Sequence, residues 1–289
     1  MVLLELLVLA VIWSWIACGV LFLKTTILPR VPLAASPAQW TLPFDAVRFQ
    51  ATDGVELSGW KIPVDPNSPW IILCHGLGTN RADLLDMAAG LAGAGFNLFL
   101  FDFRAHGESQ GRASSFGWLE QRDLEGALAF LGRQLDVPER PYGVLGVSMG
   151  GAVALMVAAQ DERLGAVVAD SCYADLDGSI RHHLGLLYRL PPVPFGMFAA
   201  SAYRLRFGAW PHQMAPVKAI AAISPRPVLL IQGTQDPRIP AQEARRLLAA
   251  AGQPKELWLI DSSEHLVTFS SDPAAYLAKL TAFFTANLR

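Results

Sequence analysis

The 289-residue sequence predicts an α/β fold: a mostly parallel sheet with helices on both faces, a cap insertion, and one transmembrane helix in front. Three observations carry this prediction. Short, near-continuous apolar runs alternate with helix-length segments from residue 70 onward, the pattern of strands buried on both faces. A serine framed by glycines stands at one of the strand-to-helix junctions. The first 23 residues are almost wholly apolar.

Residues 2–23 carry one charge, Glu5, and are closed by Lys24. That length is enough to cross a bilayer as a helix. A cleaved signal peptide has a basic leading region, a shorter apolar core and a small-residue cleavage site. The first two are missing here, and Ala34-Ala35-Ser36 offers only the third. Ile16-Ala17-Cys18 is a poor lipoprotein acylation site, because Trp15 stands where a small aliphatic residue belongs and the apolar run continues past Cys18. The segment is therefore expected to stay as a single-pass anchor. Lys24 and Arg30 follow it, and no Lys or Arg precedes it, so the positive-inside rule favours the rest of the chain on the cytoplasmic side, with two charges leaving the opposite orientation open. Residues 24–46, with their Pro and Ala, are expected to form a tether.

Residues 47–289 are expected as one domain. Residues 47–50 and 55–62 are strand-like and separated by Asp53-Gly54, a hairpin signal. Strand patterns follow at 70–74, 98–101, 142–145, 166–169, 228–233 and 257–260. Helical segments are expected at 81–94, 119–135, 151–159, 241–251 and 274–287. Residues 171–226 break the alternation and are assigned to a cap. Its Leu, Phe, Met and Tyr content suits an apolar acyl site, or simply the packing of the cap onto the core.

Gly146-Val147-Ser148-Met149-Gly150 matches the G-x-S-x-G nucleophile elbow between a strand and a helix. A serine hydroxyl is a poor nucleophile until a base takes its proton. The glycines allow a sharp turn that holds the Ser148 oxygen clear of its neighbours. Two further strand ends supply the partners. Asp236 follows the run 228–233, and His265 follows the run 257–260. The chain order Ser, Asp, His, each just past a strand end, points to acyl transfer with His265 as base and Asp236 orienting it.

With these residues, the chain resembles a serine hydrolase of the α/β-hydrolase superfamily, from about residue 47 to its end. Asp102-Phe103-Arg104-Ala105-His106-Gly107-Glu108-Ser109 resembles the D-x-R-G-H-G-x-S loop of lysophospholipase-like and serine-aminopeptidase-like members, with Ala105 where that pattern has glycine. The resemblance implies an oxyanion hole from the backbone N–H groups of Leu77, in the loop His75-Gly76-Leu77-Gly78, and of Met149. It assigns His75 and the 102–109 loop to scaffolding, with His106 a weak alternative base. It also puts the cap over the nucleophile pocket.

Other candidates carry less. Asp170 also ends a strand, but Asp236 before Arg238-Ile239-Pro240 fits the acid loop better. Asp261 and Glu264 lie too near His265 in sequence. Asp123 and Glu125 read as solvated helix charges, and the adjacent His182 and His183 as cap-surface residues. Cys18, Cys74 and Cys172 form no disulfide framework, and Cys74 reads as a buried small hydrophobe. A net charge of −2 gives no reason to expect a nucleic-acid partner. No cofactor or metal is implied. The expected partners are a small-molecule or lipid-like acyl substrate and, through the first helix, a membrane.

The leading expectation is a membrane-anchored hydrolase of carboxylic esters or thioesters, of medium or long acyl chain. An amidase or peptidase using the same triad is the second. A non-catalytic membrane-tethered binding module is the third, and the intact triad argues against it.

Overall fold

Eight strands pair edge to edge into one sheet in the computed structural model, which describes residues 1–134, 141–261 and 263–288. The strands are β1 (Asp45–Gln50), β2 (Glu56–Ile62), β3 (Trp70–Cys74), β4 (Asn97–Phe101), β5 (Tyr142–Val147), β6 (Leu164–Asp170), β7 (Val228–Gly233) and β8 (Lys255–Ile260). Their order is β1-β2-β4-β3-β5-β6-β7-β8. The hairpin expected at Asp53-Gly54 forms, with Gln50 opposite Glu56 and Gly54 at φ +85°. β2 then pairs antiparallel with β4, and every later pairing is parallel.

Successive side chains of a strand point to opposite faces, so a fully apolar strand feeds two cores. In β3, Trp70, Ile72 and Cys74 join one core while Ile71 and Leu73 join the other. Helices α2 (Leu85–Gly93) and α10 (Pro273–Leu288) cover one face through Leu91, Leu280 and Phe284. Helices α3 (Gln121–Gln134), α4 (Met149–Ala158) and α8 (Ala241–Ala250) cover the other through Leu124, Val153 and Leu247. The segment expected as a helix over 81–94 begins as a short 3₁₀ turn at Arg81–Leu84. Of the helix expected over 119–135, Leu135 lies outside the described residues.

The insertion 171–226 folds as α5 (Leu176–Tyr188), α6 (Pro192–Phe207) and the short α7 (Pro216–Ala219). Asp175 caps α5 by accepting from the Gly178 N–H at 2.6 Å, and Gly208, at φ +73°, ends α6. A one-turn helix, α9 (Thr268–Ser271), lies between the His265 loop and α10.

The first helix, α1 (Val2–Thr26), contains a 23-residue stretch, Leu4–Thr26, of mean hydropathy 2.6, long and apolar enough to cross a membrane. It does not stand apart from the domain. Cys18 and Phe22 are buried against the cap, and the Cys18 thiol donates to the Phe195 carbonyl at 3.6 Å.

The segment expected as a tether, 24–46, is likewise fastened down. Thr26 is buried and its carbonyl accepts from the Ser114 N–H at 2.9 Å. The Arg30 guanidinium donates to the carbonyls of His106, Gly107, Ser109 and Gly111. Asn80 donates to Val31 and Pro32. Polar groups pair in both directions here: the segment's own Arg30 uses carbonyls of the 106–111 loop, and the buried Asn80 side chain uses carbonyls of the segment.

Asp123, expected as a solvated helix charge, is instead fully buried and accepts two bonds from the Arg104 side chain and one from the Arg104 N–H. Arg104 is shared with Asp53 of the hairpin, so the D-x-R loop ties the first hairpin to α3. Glu125, by contrast, lies at the partly exposed surface and accepts from the Thr52 hydroxyl.

Candidate active site

Ser148 sits between β5 and α4 with φ 53° and ψ −115°, a left-handed conformation that costs a non-glycine residue free energy unless its surroundings enforce it. Two glycines allow that turn. A Cβ on Gly146 would lie 2.2 Å from the Gly150 carbonyl oxygen, and one on Gly150 would lie 2.3 Å from that of Cys74. The turn is also pinned from the sheet side, where the Ser148 N–H donates to the Asp170 carbonyl at 2.8 Å.

The structure brings Ser148, His265 and Asp236 together. The Ser148 Oγ lies 3.3 Å from His265 Nε2, and His265 Nδ1 lies 2.7 Å from Asp236 Oδ2. A carboxylate can only accept there, so Nδ1 carries the proton and Nε2 faces the serine as an acceptor. Asp236 is itself held on both oxygens. Oδ1 accepts from the Arg238 and Ile239 N–H groups at 2.8 Å each, and Oδ2 accepts from Gln232 Nε2 at 3.2 Å. Gln232, next to last in β7, also donates to the Ile239 carbonyl, which closes the acid loop on itself.

Asp170 is not part of this chain of contacts. Its Oδ2 accepts from Thr268 and Tyr276, and its Oδ1 from Ser171. Burial pushes its pKa up. Its work is to fasten α9 and α10 to the end of β6.

Leu77 and Met149 both line the pocket beside Ser148. The loop carrying Leu77 lies against the serine, since a Cβ on Gly76 would come within 3.5 Å of the Ser148 Cβ. Among the described residues, neither the Leu77 nor the Met149 N–H has a protein acceptor. The Met149 N–H also opens α4, where aligned peptide dipoles favour negative charge.

His75 and His106 are both tied to backbone. His75 donates from Nδ1 to the Gly76 carbonyl at 2.7 Å and accepts at Nε2 from the Phe103 N–H at 3.0 Å. Burial brings its pKa down to about 3. His106 donates to the Arg104 carbonyl and accepts from the Gly78 N–H. With both nitrogens committed, His106 has no lone pair left for a substrate proton.

A cavity of about 330 Å³ opens over Ser148, within the range of small-molecule sites. Its walls are mostly apolar. Leu176, Ile180 and Leu187 come from α5, and Cys18, Leu21 and Thr25 from α1. The α1 wall was not read from the sequence, although the three-to-four spacing of those residues marks a single helix face. Two polar groups in the lining were read otherwise: His183, expected at the cap surface, is half-buried and faces the cavity, and Arg238 was read only as a neighbour of the acid. His183 donates from Nδ1 to the Ser179 carbonyl at 2.8 Å, and burial lowers its pKa. Arg238 stands at the acid loop. His182, read as a cap-surface residue, is exposed but contacts the Pro237 carbonyl at 2.8 Å, which joins the cap to the acid loop. Among the described residues no cluster of His, Cys, Asp or Glu is arranged to hold a metal ion.

A family model described as alpha/beta hydrolase fold matches residues 69–214. The uncharacterized protein YfhR of Escherichia coli is 32% identical over 241 residues, 81% of this chain and 77% of that one. The uncharacterized protein YqkD of Bacillus subtilis is 28% identical over 232 residues, 80% of this chain and 75% of that one. Among solved structures, the Pyrococcus furiosus esterase Pf2001 superposes with a TM-score of 0.76 at 25% identity, covering 91% of this chain and 98% of that chain.

Proposed function

Because the chain belongs to the alpha/beta hydrolase fold family, we propose that it is a membrane-anchored serine hydrolase cleaving ester or thioester bonds of medium- or long-chain acyl substrates. The observation that carries this reading is the line of contacts from Ser148 Oγ through His265 to Asp236 at the floor of an apolar cavity. An esterase among the similar structures supports the same reaction class.

In this reaction His265 Nε2 takes the Ser148 proton as the oxygen attacks the acyl carbon. The negative charge gathers on the carbonyl oxygen, where the Leu77 and Met149 N–H groups receive it. The bond to the leaving alcohol or thiol breaks, and His265 returns the proton to it. Water then attacks the acyl-enzyme with His265 again as base, which releases the acid and restores Ser148. Asp236 keeps the imidazole in the needed tautomer and stabilises its cation. The acyl chain lies in the apolar cavity, and α1 holds the enzyme where such substrates partition.

The test is hydrolysis of p-nitrophenyl esters from acetate to palmitate, with Ser148→Ala alongside. Preference for long chains, abolished in the variant, is the expected result. Preference for acetate or butyrate would overturn the long-acyl assignment, and full activity in Ser148→Ala would overturn the catalytic one.

A further inference from the structure

The free part of α1 is too short to cross a bilayer alone. Every described side chain between residues 2 and 13 is exposed. At the rise of a helix those 12 residues extend about 18 Å, against a hydrocarbon core of about 30 Å. The rest of the thickness has to come from the half of α1 that is packed on the cap. A spanning α1 therefore takes part of the cap with it.

The cap surface is built for this. Helix α6 packs against α1 in the same sense: Phe195 meets Cys18, and further along both helices Tyr203 meets Phe22. On its outward side α6 exposes Val193, Met197 and Leu205, and the end of α5 exposes Leu186, Leu187 and Tyr188. The outward side of α1 at these levels exposes Ile16, Val20 and Leu23. The two packed helices thus both expose apolar side chains, and such exposed apolar surface marks a contact surface. Its lower edge is cationic. Phe22 meets Tyr203, and the exposed Lys24 follows the one as the exposed Arg204 and Arg206 follow the other, so all three would face lipid phosphates. Arg189, at the far end of α5, is exposed, and its long stem lets the guanidinium snorkel toward the headgroups.

The cavity runs toward this surface. Its α5 wall extends from Leu176 to Leu187, about 17 Å along the helix, and its opposite wall is the Cys18, Leu21 and Thr25 face of α1. We propose that the tip of the cap enters the bilayer with α1, and that the channel between α1 and α5 admits the acyl chain of a membrane lipid directly from the hydrocarbon. The second half of this inference rests on the acyl-hydrolase reading above, while the membrane placement does not. In this arrangement α1 is both an anchor and one wall of the substrate site.

The test uses the full chain in phosphatidylcholine vesicles, with an environment-sensitive fluorophore on Met197→Cys or, at the other end of the sheet, on Glu162→Cys. Cys74 and Cys172 are buried in the domain, and Cys18, which lines the cavity, is replaced by Ala in both labelled variants. The expected result is a blue-shifted Met197 label, quenched by nitroxide carried on lipid tails, and an aqueous Glu162 label. A Met197 label that stays aqueous, or is quenched only by a second labelled copy, overturns the membrane placement.

A Met197→Asp, Leu205→Asp variant should hydrolyse vesicle-borne p-nitrophenyl palmitate at least about tenfold more slowly, with soluble p-nitrophenyl butyrate unaffected. Unchanged palmitate hydrolysis overturns lateral entry. If the wild type cleaves neither ester, the catalytic reading falls, and the label result still decides where the cap lies.

Discussion

Phe22 of the first helix packs edge-on against Tyr203 of the cap, their ring centroids 5.9 Å apart. Phe22 also meets Phe116, at 6.1 Å, in the loop that Tyr173 and Tyr203 reach with their hydroxyls. One side chain of a helix whose composition speaks only of membrane thus joins the cap to the loop beneath it. The helix, the cap and the pocket wall form one packed unit.

Removing that contact should loosen the cap. Phe22→Ala empties a buried aromatic site, which in a core costs about 3–5 kcal/mol. The cap, held by fewer contacts than the sheet, should bear most of the loss. Limited proteolysis should then cut within residues 171–226 before the sheet domain unfolds. Hydrolysis of long-chain esters should fall more than that of short ones. A variant with wild-type protease resistance in the cap would show that α1 contributes no support.

The two strand-end aspartates should separate cleanly on substitution. Asp236→Asn keeps the shape but removes the acceptor that fixes the His265 tautomer, so kcat should fall by roughly 10⁴. Asp170→Asn loses bonds from Ser171, Thr268 and Tyr276, and should lower the urea midpoint while the folded enzyme keeps its turnover. Steady-state kinetics and urea unfolding of both variants check this. A reversed pattern would move the acid to Asp170.

Stability should fall as the pH drops below neutral, with His75 as a principal cause. Burial holds its folded pKa at about 3, whereas an unfolded histidine titrates near 6.5. Between those values the unfolded chain binds a proton that the folded protein refuses, so stability rises with pH through the window and is lost as pH falls toward 3. The loss should reach several kcal/mol by pH 4. Urea unfolding from pH 7 to pH 4 measures it. His75→Gln should be less stable at pH 7 but show a shallower slope.

Ala105 is the residue where the D-x-R-G-H-G-x-S pattern carries glycine, and it adopts φ 63°. A left-handed alanine costs about 1–2 kcal/mol in the folded state, and glycine gives part of that back through its freer unfolded chain. Ala105→Gly should therefore stabilise the protein by about 0.5–1 kcal/mol. A shift of the urea midpoint to higher concentration at unchanged slope would show it.

The inner strands of the sheet were legible as near-continuous apolar runs and the first two through the Asp53-Gly54 hairpin signal, and Ser148, Asp236 and His265 because each follows a strand pattern. Their approach to within hydrogen-bonding distance was not legible, since it depends on how far each loop turns back. Asp123 misled because its partner Arg104 lies 19 residues away, and a charge on a helix reads as solvated until that partner is seen. The docking of α1 was hidden for a simpler reason. Hydropathy reports that a helix avoids water, and it is silent on whether lipid or protein replaces the water.

The most direct measurement is labelling of the folded full-length protein with a fluorophosphonate, followed by peptide mass spectrometry. The expected result is a single adduct on Ser148, absent from Ser148→Ala and strongly slowed in His265→Ala. No adduct on a folded protein, or one on another residue, would contradict it.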